Sequence, residues 1–440
     1  MKKEFQMAKG VKDWYGAEAI LRNKIKDTLK EIFEKYGYNP LETPIMENIE
    51  TLSYKGGGEI QKEVFQLKDQ GGRNLALRFD QTVPLGRFFS TQKDLKIPFK
   101  RYVIGEVFRD GPTQPEQGRY RSFTQCDVDV LGIKEMSAEL ELFSLAKDVF
   151  ENLGLGDVEV KINNRKLLDG ILTYANIPDT LKTKTIITLD KLDKIGLSGV
   201  TEELYCLNNE DSSINNISKD NINNLIELIK PLNNNIETYE KLKKVLVENE
   251  GLKEIKEILD YSNKLQLDFI KFDPALARGL DYYTGTTIEV YLKDKSIIKS
   301  AIVAGGRYDN MIGSFKGIKE EIPAVGISFG LERLTTIISN TEKELQKNIT
   351  DIYLIPIGNT KDYCMNISQT LRKLGLNVDM QHTTKQKLKK SISYADNVGI
   401  TYIGLAGDME AENNTITLKN LQTGIQEELK PDEVYKKIKG

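Results

Sequence analysis

The hydrophobic positions near the start of the chain follow a helical period. The apolar residues that recur every fourth position are Leu21, Ile25, Leu29 and Phe33. Residues spaced in this way share one face of an α-helix. We therefore predict an amphipathic helix over Ala17–Tyr36, ended by Gly37.

Short apolar segments alternate with turns between Gly37 and Gly132, a pattern typical of strands in a mixed or antiparallel sheet. Asn74–Phe79 and Arg101–Phe108 are two such segments, and Ala138–Leu153 returns to a helical period. Further along, strand-like segments and the start of a helix near Gly330 are predicted again. Those strand-like segments are Phe269–Phe272, Tyr283–Tyr291 and Ser300–Ala304.

The composition changes between Lys166 and Leu265, where Lys, Asn, Ile and Leu dominate and the pattern is mostly helical. We interpret this segment as a helical insertion between two parts of one sheet domain. The Asn-rich stretch Leu207–Asn235 within it is interpreted as a low-complexity loop.

A new pattern of alternating strands and helices follows the polar stretch Ser339–Asn348. Its predicted elements are strand Asp351–Ile357, helix Tyr363–Leu374, strand Asn377–Met380, helix Lys385–Val398 and strand Tyr402–Ala406. Alternation at this spacing predicts right-handed βαβ units and a small sheet covered on both faces. The segment has the size of a separate domain.

These patterns predict a mixed α/β chain of several domains. The first part of the sheet domain covers residues 1–165, the helical insertion 166–265, the second part of the sheet domain 266–340, and a C-terminal α/β domain 349–440.

Composition restricts the partners and the chemistry. The formal net charge of −3 argues against an indiscriminate nucleic-acid coat, although positive charge can still be local. Cys126, Cys206 and Cys364 are in neither a paired framework nor metal-ligand spacing, and His382 is the only histidine. No apolar run approaches a membrane span, and the first residues lack a secretory signal. We expect a cytoplasmic protein without disulfides or a resident metal.

Three arginine-bearing segments carry the candidate chemistry. The segments are Phe108–Pro112 with Gly118–Phe123, Ala277–Tyr283, and Gly326–Leu334. The first segment pair predicts a hairpin with Arg109 at its base. In the third segment, small residues at every second position precede Arg333. A lone arginine is more often a structural ion-pair partner. Together, Arg109, Arg278 and Arg333 fit the transfer of an adenylyl group from ATP to a carboxylate, where preorganised guanidinium groups and Mg²⁺ neutralise developing charge.

In their order, the three segments resemble motif 2, the second histidine motif and motif 3 of class II histidyl-tRNA synthetases. Lys9–Asp13 and Tyr38–Pro44 also resemble that family's start and its motif 1. The resemblance runs from Lys9 to the C-terminus and thins in the Asn-rich stretch. It implies a class II antiparallel sheet, a C-terminal anticodon-binding domain, a homodimer formed through motif 1, and the substrates histidine, ATP with bound Mg²⁺, and tRNA(His).

The resemblance also implies roles for individual residues. The catalytic arginines are Arg109, Arg278 and Arg333, and the ATP-binding residues are these three with Arg121. The histidine-binding residues are Asp80, Gln81, Thr82, Arg109, Gln125, Asp129, Arg278, Tyr282, Tyr283 and Tyr308. Read from the residues alone, Asp80 and Asp129 could be exposed turn or edge carboxylates, and the tyrosines core or rim residues.

Gly111 stands where many class II motif 2 sequences have a glutamate, so the adenine contact of that residue falls to Glu116 or to backbone groups. For tRNA, the resemblance favours Arg119 and Arg121 in the hairpin loop. The C-terminal candidates are Lys387 and Lys390, in a group with Lys385 and Lys389 that we place on one helix and that could equally be a solvated face. His382 is interpreted as an ordinary surface residue.

One alternative shares the fold and the ability to bind histidine. It is the synthetase-like regulatory subunit of ATP phosphoribosyltransferase, which has no aminoacylation activity. Such proteins usually lack the anticodon-binding domain and parts of motifs 2 and 3. The chain keeps all three arginines and a complete C-terminal pattern, which favours the synthetase.

Overall fold

A computed structural model of the chain describes residues 5–54, 63–207, 217–277, 282–318, 320–342, 344–383 and 386–440. The chain divides into two compact units. The first comprises Met1–Lys12 and Ile25–Thr341, and the second Asp13–Lys24 and Glu342–Gly440. Within the described ranges, no helix combines the length and the apolar character needed to cross a bilayer.

The elements up to residue 341 alternate between short strands and helices. The strands are β1 (Asn39–Pro40), β2 (Met46–Asn48), β3 (Gln66–Lys68), β4 (Asn74–Leu77), β5 (Phe99–Phe108), β6 (Ser122–Leu131), β7 (Val158–Asn164), β8 (Ile270–Phe272), β9 (Thr286–Leu292), β10 (Val303–Arg307) and β11 (Ala324–Gly330). The helices are α1 (Ala17–Lys35), α2 (Ile49–Ser53), α3 (Thr82–Thr91), α4 (Ser137–Asn152), α5 (Arg165–Tyr174), α6 (Asp179–Leu189), α7 (Leu192–Cys206), α8 (Lys219–Ile229), α9 (Asn235–Lys243), α10 (Glu250–Lys264), α11 (Asp309–Phe315) and α12 (Leu331–Thr341).

One large sheet organises the first unit, with the strand order β1-β5-β6-β11-β10-β9-β7-β8. Its terminal pairs, β1 with β5 and β7 with β8, are parallel. The pairs between them are antiparallel. A smaller sheet has the order β2-β4-β3. The prediction of a mainly antiparallel sheet in a mixed α/β chain is confirmed.

Helices cover the rear face of the large sheet through aromatic side chains. The ring of Phe329 on β11 lies 5.7 Å from Phe33 of α1 and 6.3 Å from Phe150 of α4. All three side chains are buried, and each contributes roughly 1.5–3 kcal/mol by leaving water. Successive side chains of a strand point to opposite faces. The residues of β11 that point to the front face are therefore the small ones, Gly326 and Ser328.

Helices α5–α10 lie between β7 and β8 in the sequence, as the helical pattern predicts. The interpretation of Leu207–Asn235 as loop is wrong for α8, and residues 208–216 lie outside the described ranges. Asparagine has a structural role here. The Asn234 side chain accepts a hydrogen bond from the Glu237 N–H and so caps α9. The next residue, Asn235, is bonded to the main chain of β8.

The second unit contains a five-stranded sheet of order β13-β12-β14-β15-β16. Its strands are β12 (Ile352–Pro356), β13 (Val378–Met380), β14 (Tyr402–Ala406), β15 (Ile416–Asn420) and β16 (Gln426–Leu429), and its helices are α13 (Lys361–Lys373), α14 (Leu388–Asn397), α15 (Asp408–Asn413) and α16 (Pro431–Lys439). The first three strands in that order are parallel, as predicted. The remaining pairs are antiparallel, and the sequence pattern did not predict them.

Three further predictions about individual elements have clear outcomes. The helix over Ala17–Tyr36 and the hairpin before and after the Pro-Gly loop are confirmed, since Phe108 pairs with Ser122 at the hairpin base. The strand predicted over Ser300–Ala304 is displaced, because β10 continues through Gly305 and Gly306. Glycine weakens the interior of a strand, but pairing with β9 and β11 keeps Gly305 and Gly306 in the sheet.

Candidate active site

The strand register places a set of polar and small residues on the front face of the large sheet. One transverse row is Arg101, Asp129, Gly326, Gly306 and Thr287. The next row is Val103, Asp127, Ser328, Ala304 and Glu289. Residues two positions apart on a strand share a face, so these rows form one continuous floor. Ala304 is exposed in the middle of it, so solvent reaches this face of the sheet.

Glycine is required at one point of this floor for steric reasons. A Cβ atom on Gly326 would lie 2.1 Å from Oδ1 of Asp129 and 2.8 Å from the main-chain oxygen of Val128. Such distances are far inside van der Waals contact. The alternating small residues predicted before Arg333 therefore leave room for a buried carboxylate as well as for a flat ligand.

Three carboxylates are buried beside one another at this floor. Asp80, Asp127 and Asp129 are 3%, 5% and 3% exposed. Burial raises the pKa of Asp80 to about 6 and that of Asp127 to about 7, and it also raises the pKa of Asp129. The interpretation of Asp80 and Asp129 as exposed turn or edge residues is wrong.

The sequence analysis missed the cation that faces these acids. Arg101 is 2% exposed, and its Nη2 atom lies 2.7 Å from Oδ2 of Asp129. The same nitrogen donates a hydrogen bond to the main-chain oxygen of Gln81 at 3.0 Å. The local sequence carries no signal for this role, because Lys100 and Glu106 on the same strand are charged too and the burial of Arg101 follows from the pairing of β5 with β6.

Three tyrosines stand over the acids. The ring of Tyr282 meets those of Tyr283 and Tyr308 edge-on, at centroid distances of 5.2 and 6.0 Å. Tyr308 donates a hydrogen bond to Asp129, and Tyr282 is hydrogen bonded to Thr82. Burial raises the pKa of all three phenols, so they are neutral donors at physiological pH. The structure thus brings these tyrosines together with Asp129 and Thr82.

Two glutamine side chains complete the polar lining. Gln125 donates from Nε2 to Oγ of Ser328 at 3.1 Å. Among the described residues, its Oε1 atom and both amide atoms of Gln81 have no hydrogen-bond partner although they are buried. Unpartnered buried polar atoms are rare in proteins, so these atoms are available to water or to a polar ligand.

Arg109 lies at the edge of this pocket, at the base of the β5–β6 hairpin. Its Nε atom donates to the main-chain oxygen of Phe79 at 3.0 Å, and its guanidinium lies 5.2 Å from the centre of the Phe123 ring. Burial raises the pKa of Asp80, and the positive charge of Arg109 lowers it in part. The guanidinium is therefore fixed in place and positioned beside the first of the buried acids.

The loop of the same hairpin carries Arg119 and Arg121. Arg121 is half-buried, with Nη2 3.1 Å from Oδ1 of Asp110, and its main-chain N–H donates to Gly10 at 2.7 Å. Arg119 is exposed at the loop, where its main chain pairs with Gln114. The two arginines thus have different surroundings, one fixed and one presented to solvent.

Arg333 is in the first turn of α12, and the hairpin loop packs on that turn. Gly118, at φ +68°, lies so close that a Cβ would be 2.9 Å from the Glu332 carbonyl. The Glu332 carboxylate accepts a hydrogen bond from the main-chain N–H of Thr124 at 3.0 Å. Arg333 itself donates to the main-chain oxygen of Ala301. Motif 2 and the start of α12 are therefore joined.

A glutamate lies beside Gly111, but it is neither of the groups considered from the sequence. The Oε1 atom of Glu63 is 2.8 Å from where a Cβ of Gly111 would stand, and the Glu63 main-chain oxygen accepts from the Asp110 N–H at 2.7 Å. Glu116 is exposed in a short helical turn further along the loop. The carboxylate adjacent to Gly111 is thus supplied by Glu63.

The remaining predicted residues lie in the second unit or outside the described residues. Arg278 falls in 278–281, outside the described residues, as does Lys385. The grouping of four lysines on one helix is wrong for Lys387, which precedes α14 with an extended backbone of φ −64° and ψ 138°. Lys387 and Lys390 are exposed in the second unit, and His382 is an exposed loop residue as predicted.

Comparison with known proteins agrees with this geometry. The family model for histidyl-tRNA synthetase matches residues 10–334, and that for the anticodon binding domain matches residues 351–440. Histidine–tRNA ligase 1 of Bacillus cereus is 41% identical over 425 residues, which is 96% of each chain. The histidyl-tRNA synthetase structure from Nostoc sp. PCC 7120 superposes with a TM-score of 0.84 at 30% identity, covering 99% of this chain and 100% of that one.

An antiparallel sheet whose open face carries buried acids and tyrosines beside a motif 2 hairpin defines a class II aminoacyl-tRNA synthetase fold. With these matches, the chain belongs to the histidyl-tRNA synthetase family of aminoacyl-tRNA ligases. A structure described as an ATP phosphoribosyltransferase regulatory subunit/histidyl-tRNA synthetase from Bacillus halodurans has a TM-score of 0.75 at 21% identity, covering 92% of this chain and 100% of that one, a likeness that shows the fold alone.

Proposed function

We propose that the chain joins histidine to ATP, forming histidyl-adenylate and pyrophosphate, and then transfers histidine to the 3′-terminal adenosine of tRNA(His). The observation that supports this most strongly is the convergence of Asp80, Asp129 and Tyr308 on one sheet face beside Arg109. A zwitterion with an imidazole side chain needs acceptors for its ammonium group, a cation for its carboxylate and an aromatic pocket for its ring.

The proposed histidine site is the pocket described above. Asp80, Thr82, Gln125 and Asp129 accept the ammonium group, and the tyrosines surround the ring. The full proposed set is Asp80, Gln81, Thr82, Arg109, Gln125, Asp129, Arg278, Tyr282, Tyr283 and Tyr308. Among the described residues, Oδ2 of Asp80, both amide atoms of Gln81 and Oε1 of Gln125 have no hydrogen-bond partner, which supports this assignment.

The proposed chemistry is positioning and electrostatic stabilisation without a covalent enzyme intermediate. Arg109 holds the histidine carboxylate and the α-phosphate, for which a fixed planar guanidinium is suited. The proposal assigns Arg278 to the same carboxylate and α-phosphate and Arg333 with Arg121 to the nucleotide, and Mg²⁺ enters as part of the ATP substrate. The carboxylate oxygen attacks the α-phosphorus, and the bond to the pyrophosphate oxygen breaks as the arginines share its charge.

For tRNA, we propose that Arg119 and Arg121 meet the acceptor end and that Lys387 and Lys390 contact phosphates elsewhere on the tRNA. The exposure of Arg119 in the hairpin loop and of both lysines supports this. Charge reversal at Arg119 should slow tRNA aminoacylation and leave ATP–pyrophosphate exchange unchanged. Loss of exchange in that variant would instead place Arg119 in the adenylation step.

The division of the chain extends the proposal. Residues 1–165 and 266–340 form the catalytic domain, 166–265 the helical insertion, and 349–440 the anticodon-binding domain. We propose a cytoplasmic homodimer formed through motif 1, which contains Pro44. The adjacent Ile45 and Met46 are 42% and 56% exposed, which suits a protein interface. A monomer by sedimentation equilibrium at micromolar concentration would contradict the dimer.

The deciding experiment is ATP–pyrophosphate exchange with purified protein, Mg²⁺ and each of the standard amino acids, followed by charging of tRNA(His). We expect exchange with histidine alone and formation of histidyl-tRNA. Absence of exchange would refute the enzymatic proposal. Histidine binding without exchange or charging would support the regulatory-subunit alternative.

A further inference from the structure

The turn Ala8–Val11 packs on the motif 2 hairpin within the first unit. The Val11 N–H donates to the Ala8 carbonyl at 3.4 Å, which closes the turn. Gly10 is the third residue of the turn and has a φ of +82°, a conformation that favours glycine. Its carbonyl oxygen accepts a hydrogen bond from the main-chain N–H of Arg121 at 2.7 Å. The turn is therefore bonded directly to the hairpin loop.

Gly10 lies between the two limbs of that loop. A Cβ atom on Gly10 would be 2.8 Å from Cγ2 of Thr113, on the limb that leaves β5. It would also be 2.9 Å from Cδ and 3.0 Å from Cγ of Arg121, on the limb that enters β6. The stem of the Arg121 side chain thus packs on the bare main chain of Gly10, where no side chain has room.

This packing matters because the ion pair of Arg121 is weak by itself. Nη2 of Arg121 lies 3.1 Å from Oδ1 of Asp110, and the two side chains are 31% and 46% exposed. Exposed ion pairs contribute little to holding their partners in one place. The contact of Cγ and Cδ with Gly10 therefore fixes the direction of the Arg121 guanidinium.

The guanidinium of Arg121 keeps one donor for a ligand. Its Nε atom is buried and has no hydrogen-bond partner among the described residues. Guanidinium groups pair strongly with phosphate oxygens. The main-chain oxygen of Arg121 accepts the Arg109 N–H at 2.8 Å, so this donor stands next to the arginine that is proposed to hold the α-phosphate.

We propose that the turn Ala8–Val11 belongs to the nucleotide site, with Gly10 as a positioning residue that holds the Arg121 side chain where it binds a phosphate group of ATP. The inference rests on the proposed function, and it gives a role to the segment that begins at Lys9. A side chain at residue 10 would meet mainly the flexible stem of Arg121. The stem is displaced, and the cost appears in nucleotide binding more than in folding.

The test measures ATP–pyrophosphate exchange in Gly10→Ala against a matched control, Gly72→Ala. Gly72 lies in the turn between β3 and β4, has the same φ of +82°, and has no atom within 4 Å of its Cβ position. Both variants place alanine in an unfavourable conformation, but only the first displaces Arg121. We expect the KM for ATP to rise roughly 5- to 50-fold in Gly10→Ala and to stay within about twofold of the wild type in Gly72→Ala. The KM for histidine should change by less than about threefold in both.

A double-variant cycle shows whether Gly10 acts through Arg121. Arg121→Met removes the guanidinium and should raise the KM for ATP roughly 10- to 100-fold. Once the guanidinium is gone, its displacement has no further effect. Gly10→Ala combined with Arg121→Met should therefore stay within about twofold of Arg121→Met alone.

Thermal unfolding of each variant establishes that it is folded. Should the alanine variants be unstable, Gly10→Asn and Gly72→Asn replace them, because asparagine adopts a positive φ more readily and still carries a Cβ. The expected difference between the two positions is the same.

Three outcomes overturn the inference. They are equal KM values for ATP in the Gly10 and Gly72 variants, effects of Gly10→Ala and Arg121→Met that multiply in the double variant, and an unchanged KM for ATP in Arg121→Met. Each of them, obtained with a wild type that performs histidine-dependent exchange, leaves the overall proposed function intact. A wild type without such exchange refutes that function instead.

Discussion

The Nη2 atom of Arg101 lies 2.7 Å from Oδ2 of Asp129, and both side chains are almost fully buried. Arg101 also donates to the main-chain oxygen of Gln81. One buried cation therefore connects β5, β6 and the segment that leads into α3. The pair fixes the pocket floor relative to the segment that carries Asp80. Its loss should lower the free energy of unfolding and weaken ligand binding.

Replacing Arg101 by methionine should destabilise the protein strongly. Methionine replaces the aliphatic part of the side chain and carries no charge, so the change leaves Asp129 buried without its cation. Breaking one partner of a buried ion pair costs about 3–5 kcal/mol. Urea unfolding at pH 7.5 measures this as a lower free energy of unfolding.

The double variant Arg101→Met with Asp129→Asn provides the control. Because both charges are removed together, we expect it to regain at least about 1 kcal/mol relative to Arg101→Met alone. Simple additivity of the two single effects would show that the pair does not interact as the geometry indicates.

The buried acids predict a pH dependence of stability. The pKa of Asp127 is about 7 in the folded protein against an ordinary value of 3.8, so between those values the folded state binds more protons than the unfolded state. The free energy of unfolding should therefore fall as the pH rises from about 4 to about 7 and lose no more from this group above that. Asp80, with a pKa of about 6, acts in the same direction.

Asp127→Asn removes this ionisation. Relative to the wild type, the variant should gain stability on going from pH 5 to pH 8 by roughly 3 kcal/mol at most, because the pKa of about 7 lies two units above pH 5 and each unit corresponds to about 1.4 kcal/mol. Denaturant unfolding across that range measures the difference, with Asp94→Asn, exposed in a loop, as the reference. Parallel pH profiles for Asp127→Asn and the wild type would rule out a buried, titrating Asp127.

Two glycines of β11 give a matched steric test. Alanine at Gly326 would bring its Cβ to 2.1 Å from Asp129 Oδ1, whereas at Gly330 the nearest atom would be Cδ of Arg333 at 3.7 Å. We expect Gly326→Ala to lose at least about 2 kcal/mol of stability and Gly330→Ala to stay within about 1 kcal/mol of the wild type. Equal stabilities in chemical denaturation would contradict the close approach of Asp129 to the Gly326 backbone.

Arg109→Lys tests whether the guanidinium shape matters beyond its charge. The guanidinium donates to Phe79 through Nε at 3.0 Å and lies against Phe123, and an ammonium group cannot make both contacts and also grip two anions. Histidine-dependent exchange should fall by about 10²- to 10³-fold. Arg73→Lys, which alters an exposed ion pair with Asp69, should have no effect. Near-normal exchange in Arg109→Lys would show that this position requires a positive charge and not a guanidinium group.

Local patterns were sufficient to predict the elements that contact mainly their own sequence neighbours. The four-residue spacing in α1 and the Pro-Gly loop between β5 and β6 define structure over short distances, and both predictions are confirmed. The antiparallel pairs of β14, β15 and β16 were missed. Strands of this length are stabilised by their neighbours more than by their own residues.

The pocket was predictable in composition and not in its internal pairings. Asp80, Gln125 and Tyr308 were identified through motifs, but the partner of each depends on strand register and burial. Arg101 is the clearest case, since nothing in its local sequence distinguishes it from a surface arginine until β5 is paired with β6. Chemical roles that depend on a partner far away in the sequence require the tertiary structure.

The hydrogen bond from the Thr124 N–H to the Glu332 carboxylate, with Gly118 seated on the same turn, has a consequence for engineering. The motif 2 hairpin and the start of α12 meet through main-chain atoms and one glycine, so neither segment can be exchanged alone. A chimaera that takes this hairpin from a relative with a different loop should also take the relative's first turn of α12. Grafting both together preserves the join that a single-segment graft would break.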